Sequence, residues 1–182
     1  MKIEDFIRQY NSAIKIAIKA HDRQLDRAGM YYFSHPMRVA NACVSYEAKI
    51  AALLHDVVED TELTLKDLER AGFCHDVIYA LEKLTKDKQD SYMDYIKRIA
   101  LDPIAKDVKL ADLKDNLDVT RIPYDLTDDD LKRIVKYHAA YLYLTEFERS
   151  QKQKNEPKDF RVCPKPQQHK DFKVGPNKKP RR

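Results

Sequence analysis

The sequence is poor in glycine, cysteine and long apolar runs, and each shortage excludes a class of protein. Only three of its 182 residues are glycine, which excludes the glycine-rich phosphate loops of dinucleotide-binding folds and P-loop enzymes. The three cysteines are widely separated and form no CxxC pair, which argues against a zinc ribbon and favours reduced thiols in a cytoplasmic protein. No apolar run approaches the roughly 20 residues that cross a bilayer, and the N-terminus lacks the pattern of a secretory signal.

Charge divides the chain into two parts of opposite sign. Residues 151–182 contain 11 basic and 3 acidic residues, whereas residues 1–150 contain 23 basic and 27 acidic residues. The tail holds five of the eight prolines and shows no apolar periodicity, so it cannot bury enough surface to offset its ordering entropy. We therefore expect one folded domain over 1–150 and a disordered basic tail over 151–182. The tail is either a weak contact for nucleic acid or the ribosome or a solubilising extension, and the sequence indicates no oligomeric state.

Helical periodicity runs through the body of the chain. The apolar residues of 47–60 follow the i, i+3, i+4, i+7 spacing of one helix face. No segment alternates with the period of a half-buried strand, so we expect an all-α fold of about six to eight helices. Further helices are predicted over 4–21, 34–46, 75–84, 90–101 and 103–118. The pair Thr64 and Asp67 predicts the N-cap of one more helix, which is expected to end near Gly72. A last helix, introduced by the N-cap pair Thr127 and Asp130, is expected to reach about residue 149 and to align Leu131, Ile134, Val135, His138 and Leu142 on one stripe.

Four ionisable side chains gather around one turn of the predicted 47–60 helix: His55, Asp56, Glu59 and Asp60. Three carboxylates this close repel each other unless a cation neutralises them. Imidazole with carboxylate suits a first-row cation such as Mn²⁺, Fe²⁺ or Zn²⁺. Because two adjacent residues cannot complete a coordination shell, other helices must contribute ligands.

Two residues elsewhere in the chain are candidates for those ligands. His35 stands at the start of a predicted helix, and Asp112 interrupts an apolar stretch, where a carboxylate is costly unless it is paired or bound to metal. Each has an ordinary alternative: His35 as a capping or surface histidine, and Asp112 as the partner of Lys109. The combination of the four residues, rather than any one, predicts a metal site.

The order His35, His55-Asp56, Asp112 resembles the metal-binding motif of the HD-domain phosphohydrolases. The segments 17–40, AALLHDVVEDT (51–61) and VKLADLKDN (108–116) are similar to the hydrolase domain of RelA/SpoT-type alarmone enzymes. The resemblance spans roughly residues 5–147 and leaves no room for the synthetase domain of that family. It implies an HD-domain helical bundle that acts as a stand-alone small alarmone hydrolase.

The resemblance also implies roles for individual residues. One Mn²⁺, with Fe²⁺, Zn²⁺ or Co²⁺ as alternatives, would be held by His35, His55, Asp56 and Asp112. An acidic pair, Glu59 and Asp60, would orient and activate the attacking water, without either being assigned as the general base. Substrate contacts would come from Arg27, Tyr32 and Asn116.

The implied reaction is hydrolysis of the 3′-pyrophosphate of ppGpp or pppGpp, which yields GDP or GTP and pyrophosphate. Leu113 and Asp115 stand where many members of the family have arginine and histidine, which leaves open whether guanine or adenine is bound. One alternative is hydrolysis of another nucleotide, such as an adenosine alarmone, a nucleoside monophosphate or an NADPH-like dinucleotide. The other is a non-catalytic module that binds nucleotide, RNA or a protein partner.

Overall fold

The structure is a computed structural model that describes residues 1–155, with side chains described through residue 151. In this range the chain forms nine α-helices and one 3-10 turn. The elements are α1 (Ile3–Ala20), α2 (Ser34–Ala42), α3 (Tyr46–Leu54), α4 (Val57–Asp60), α5 (Leu65–Arg70), α6 (His75–Leu84), α7 (Tyr92–Ala100), α8 (Pro103–Leu117), the 3-10 turn (Val119–Arg121) and α9 (Asp128–Asn155). The all-α prediction is confirmed, and the helices number eight when α3 and the single turn α4 are counted as one interrupted helix.

Reciprocal capping pairs fix the start of two helices, as the sequence predicts. The Thr64 hydroxyl accepts from the backbone N–H of Asp67 while the Asp67 carboxylate accepts from the N–H of Thr64, which forms a capping box at α5. Thr127 and Asp130 make the same reciprocal pair at the start of α9. Each cap satisfies backbone donors that the first helical turn leaves without an intrahelical partner.

Helix α3 is the centre of the bundle. Six of its nine residues are buried: Ala48, Ile50, Ala51, Ala52, Leu53 and Leu54. A helix that is apolar nearly all round belongs inside a core, and α3 contacts α1, α2, α6 and α8. Because other helices surround the C-terminal end of α3, the next residue, His55, is buried.

The predicted helix over 47–60 is interrupted at His55 and Asp56. The His55 ring donates from Nδ1 to the carbonyl oxygen of Ala52 at 2.7 Å, and a side chain that bonds the nearby backbone in this way competes with continuation of a helix. The preceding boundary also differs, because α2 ends at Ala42 and Ser45 caps the start of α3 by accepting from the N–H of Ala48.

Helix α9 packs on the core through a different face from the predicted stripe. Ala140 and Leu144 are fully buried, whereas 48%, 70% and 45% of the surface is exposed at Leu131, Val135 and Leu142. His138 is exposed as well. The predicted stripe is wrong because two faces of α9 are apolar, and periodicity alone does not say which face meets the neighbouring helices.

The end of α9 lies beyond the predicted domain boundary at residue 150, since the helix continues to Asn155. Lysine and glutamine, which dominate 151–155, are good helix formers. The rest of the basic tail lies outside the described residues, so its disorder and its contact with nucleic acid or the ribosome stay predictions. None of the described helices combines the length and the apolar character of a membrane span.

Candidate active site

Three separate parts of the fold bring the predicted metal ligands together. His35 lies in the first turn of α2, His55 and Asp56 form the junction of α3 and α4, and Asp112 lies in the middle of α8. Both α2 and α8 pack against α3 and against each other. The convergence of these residues is therefore set by the packing of the central helices.

The ligand atoms face one another across short distances. His35 Nε2 lies 3.2 Å from Asp112 Oδ1 and 3.7 Å from Asp56 Oδ2, while His55 Nε2 lies 3.2 Å from Asp56 Oδ2 and 3.7 Å from Asp112 Oδ1. Two imidazole nitrogens thus alternate with two carboxylate oxygens around a common centre. Both histidines and Asp112 are buried, and Asp56 is half-buried.

The second nitrogen of each imidazole ring is already occupied. His35 Nδ1 lies 2.6 Å from Asp115 Oδ2, and His55 Nδ1 lies 2.7 Å from the carbonyl oxygen of Ala52. Because a carboxylate or a carbonyl only accepts, each ring carries its hydrogen on Nδ1 toward that partner. Both Nε2 atoms are therefore turned toward the shared centre.

These residues fit a divalent cation. The ligand atoms of His35, His55 and Asp56 all lie within 4.8 Å of one another. Asp112 is outside that mutual group, although its Oδ1 lies close to both imidazoles. His55 Nε2 is buried and has no hydrogen-bond partner, and an orphaned buried nitrogen of this kind is costly unless something binds it.

The charges of the centre are strongly coupled. Burial disfavours ionised Asp112, but the Lys109 ammonium 2.8 Å away and the two histidines hold the pKa of the carboxyl well below its usual range. Burial likewise opposes charge on Lys109, yet the electrostatic interactions with Asp112, Tyr95 and Tyr92 hold the pKa of the amine well above its usual range. Asp112 is thus also the ion-pair partner of Lys109, which was the alternative role that the sequence offered for it.

The imidazole of His35 is affected in the same way. Burial of the ring lowers its pKa, but the contacts with Asp112 and Asp115 outweigh burial and raise the pKa of His35 to about 9. The neighbouring carboxylates thus favour a positive charge at this point of the centre. A bound cation would supply that charge directly.

A cavity of about 700 Å³ opens onto this centre, within the usual size of small-ligand pockets. His35, Asp56 and Asp112 lie in its wall. The remaining wall carries more basic than acidic side chains: the basic ones are Arg27, Arg38, Lys86, Lys109, Arg121, Arg133 and Lys136, and the acidic ones are Asp26, Glu59, Asp118 and Asp130. Such a wall suits a ligand that carries several negative charges.

The two residues of the predicted acidic pair are placed differently. Both are exposed on α4. Glu59 lines the cavity, and its Oε1 accepts from the backbone N–H of Lys86 at 2.7 Å. Asp60 is not among the residues that line the cavity in the described part of the chain.

The three predicted substrate contacts all line the cavity. The hydroxyl of Tyr32 donates to Asp56 Oδ2 at 2.6 Å, and Asn116 Nδ2 donates to Asp112 Oδ1 at 2.5 Å. Each of these two side chains therefore touches a predicted metal ligand. Arg27 pairs with Asp130 at the start of α9.

Sequence reasoning missed several residues of the cavity. Arg133, Lys136 and Tyr137 of α9 line it. The basic residues of α9 carry no local signal that distinguishes them from a solvated helix face. Leu113, one of the two departures from the family pattern, is fully buried in the core, whereas Asp115 contacts His35 directly.

Similarity to known proteins agrees with this arrangement. The chain is 31% identical to the bifunctional (p)ppGpp synthase/hydrolase SpoT of Escherichia coli in an alignment of 150 residues that covers 73% of this chain and 20% of SpoT. It is 37% identical to the human guanosine-3′,5′-bis(diphosphate) 3′-pyrophosphohydrolase MESH1 in an alignment of 124 residues that covers 60% of this chain and 68% of MESH1. The chain therefore spans about a fifth of SpoT but most of the smaller human protein.

A solved structure gives the same result. A metazoan ortholog of SpoT, described as hydrolysing ppGpp and acting in starvation responses, matches with a TM-score of 0.62 and 25% identity over 79% of this chain and 95% of that one. No protein-family model matches the chain. The resemblance drawn from the motifs is confirmed: this chain belongs to the SpoT and MESH1 family of guanosine-3′,5′-bis(diphosphate) 3′-pyrophosphohydrolases.

Proposed function

We propose that this protein is a Mn²⁺-dependent hydrolase that removes the 3′-pyrophosphate of ppGpp or pppGpp, releasing GDP or GTP and pyrophosphate. The observation that carries the proposal is the convergence of two imidazole nitrogens and two carboxylate oxygens at the base of a cation-rich cavity. The relatives that are named for this reaction support it. A location in the cytoplasm stays a prediction.

The metal would be held by His35, His55, Asp56 and Asp112. When bound, a divalent cation of this kind lowers the pKa of a coordinated water toward about 7 and neutralises phosphate charge. Mixed imidazole and carboxylate ligands suit Mn²⁺, and they also suit Fe²⁺, Zn²⁺ and Co²⁺. The choice of Mn²⁺ comes from the family resemblance.

The chain's own residues would supply the rest of the chemistry. Glu59, in the cavity wall, would take the proton of the attacking water, and Asp60 on the same turn would orient that water. As the water oxygen bonds to phosphorus, the bond from phosphorus to the ribose 3′-oxygen breaks. The released pyrophosphate keeps the water oxygen, and the 3′-oxygen would become the hydroxyl of GDP or GTP by taking the proton that Glu59 received. Arg27 and Asn116 would bind substrate, whose phosphates gain charge-assisted hydrogen bonds from the guanidinium. Tyr32 would hold Asp56 in place through its hydroxyl.

Product analysis tests the proposal. The protein with Mn²⁺ is incubated separately with ppGpp, pppGpp, the corresponding adenosine 3′-pyrophosphates, nucleoside monophosphates and NADPH, and the products are separated by chromatography. We expect GDP or GTP with stoichiometric pyrophosphate. Orthophosphate as the product, or turnover of only the other nucleotides, would replace the proposed substrate, and no turnover with any of them would favour a binding module.

Matched histidine variants connect this activity to the metal centre. His55→Ala removes the buried nitrogen that has no partner and is expected to abolish both Mn²⁺ retention and hydrolysis. His138→Ala removes an exposed histidine of α9 and should change neither. Hydrolysis by His55→Ala at the wild-type rate would contradict the proposed centre.

A further inference from the structure

We propose that Asp115 is a positioning residue of the metal centre, whose carboxylate holds the His35 ring with Nε2 turned toward Asp56 and Asp112. The inference rests on the proposed function, because it concerns the affinity of the same centre for its cation. Asp115 lies in α8, one turn after Asp112. Among the hydrogen bonds and ion pairs of the described residues, its side chain meets the proposed ligand set at the far nitrogen of the His35 ring, at 2.6 Å.

The Asp115 carboxylate is itself firmly held. Arg38 donates from Nε to Oδ1 at 2.6 Å and from Nη2 to Oδ2 at 3.0 Å, so the guanidinium grips both oxygens. Arg121 Nη2 donates to Oδ2 at 3.1 Å and to the Asp115 carbonyl oxygen at 2.6 Å. Only 11% of the Asp115 side chain is exposed. A carboxylate fixed by two guanidinium groups can in turn fix the ring that donates to it.

The two histidines of the centre differ in what holds them. His55 donates to a neutral backbone carbonyl, that of Ala52, whereas His35 donates to an anion. A carboxylate behind a ligating imidazole fixes its tautomer and makes the facing nitrogen a stronger ligand. Of the two histidines, His35 is therefore the one whose strength as a ligand depends on another side chain, and Asp115 is the residue through which a substitution would change it.

An alternative role for Asp115 is purely structural, as the carboxylate that joins α2 to the turn after α8 through Arg38 and Arg121. That role predicts a change in stability without a specific change in metal affinity. The tautomer of His35 would then also be independent of Asp115. The two roles are separated by measuring Mn²⁺ affinity and the ring protons directly, without using activity.

The experiment uses Asp115→Asn, which keeps the shape and one acceptor oxygen but removes the charge. Titration of the full-length protein with Mn²⁺ alone is expected to show affinity about 10- to 100-fold weaker than wild type. Asp118→Asn is the matched control, because Asp118 also faces Arg121, at 3.6 Å, but does not contact His35. In the Zn²⁺-loaded protein, the strongly downfield His35 Nδ1–H proton expected by NMR should move upfield only in Asp115→Asn.

A second variant keeps the inference testable if Asp115→Asn folds poorly. Arg38→Gln retains Asp115 but removes one of the two guanidinium groups that hold its carboxylate, and a smaller loss of Mn²⁺ affinity, still above threefold, is expected with an unchanged helical spectrum. The inference is overturned if folded Asp115→Asn, or Arg38→Gln in its place, binds Mn²⁺ within about threefold of Asp118→Asn. Failure of the wild-type protein to bind any divalent metal would instead overturn the proposed function, and the inference with it.

Discussion

His35 Nε2 and Asp112 Oδ1 lie 3.2 Å apart although His35 lies in the first turn of α2 and Asp112 in the middle of α8. No flexible loop sets this distance, because both helices pack on the buried helix α3. Sites built on packed helices hold their ligands more precisely than sites built on loops. The effect of substituting a ligand can therefore be attributed to the loss of that side chain rather than to the movement of a loop.

The acidic residues of α4 provide the first test. Glu59→Gln with Asp60→Asn is expected to lower kcat by about 10²- to 10⁴-fold, the usual contribution of general acid-base groups. Mn²⁺ affinity should stay within a few-fold of wild type, because neither side chain is a proposed ligand. Steady-state kinetics and Mn²⁺ titration measure the two quantities.

The control for the acidic pair is Glu62→Gln, which neutralises an exposed carboxylate just after α4. It should leave both quantities unchanged. Full activity in the double variant would remove Glu59 and Asp60 from the mechanism. The two single variants then distinguish the general base, expected to be Glu59 because it alone lies in the cavity wall.

The buried pair of Lys109 and Asp112 makes a prediction about stability. Lys109→Met leaves Asp112 without its ammonium partner, and breaking a buried ion pair typically costs about 3–5 kcal/mol. Saturating Mn²⁺ supplies positive charge at the same carboxylate, so the loss should be smaller with metal than with chelator. Urea unfolding in Mn²⁺ and in EDTA measures the difference.

An exposed pair with the same spacing is the matched control for Lys109→Met. Lys97 and Asp94 are also three residues apart, at 3.0 Å, but both side chains are more than half exposed. Lys97→Met should therefore have a small effect that does not depend on metal. Equal destabilisation of Lys109→Met in Mn²⁺ and EDTA would show that the metal does not act on Asp112.

Much of the fold, and the candidate ligands that converge at the site, could be predicted because the signals are local. The pairs Thr64 with Asp67 and Thr127 with Asp130 indicate helix starts through hydrogen bonds made within one turn. Asp112 is visible as a carboxylate in an apolar stretch, since burial of an unpaired charge is rarely tolerated. Such features need no knowledge of the tertiary arrangement.

The remaining features depend on contacts between distant residues. Asp115 appears in the sequence only as a departure from the family pattern, and its contact with His35 exists because α2 and α8 pack together. The break at His55 depends on a ring that turns back to the Ala52 carbonyl. The core face of α9 is likewise chosen by packing, because its periodicity fits more than one face.

Two leucines of α9 test which face is buried. Leu144 is fully buried, whereas Leu142, two residues earlier, is 45% exposed. Leu144→Ala is expected to lower the free energy of unfolding by about 2–5 kcal/mol, and Leu142→Ala by about 0.5 kcal/mol or less. Urea unfolding of both variants measures the difference, and a larger loss for Leu142→Ala would restore the stripe predicted from the sequence.

The basic residues of α9 that line the cavity provide a test of whether it binds the phosphates of the substrate. Arg133 and Lys136 line the cavity and lie over the ring of Tyr137 at 5.4 and 5.0 Å, and no ion pair joins either of them to an acidic residue in the described range. A guanidinium free to meet phosphate contributes about 1.5–3 kcal/mol through charged hydrogen bonds. Arg133→Gln should therefore raise KM for ppGpp by about 10- to 100-fold, with a smaller change in kcat. The control is Lys132→Gln, because Lys132 is adjacent in sequence but is 77% exposed and paired with Asp129; it should leave KM unchanged. An equal rise of KM in both variants would indicate that α9 attracts the substrate through its overall positive charge rather than through a contact within the cavity.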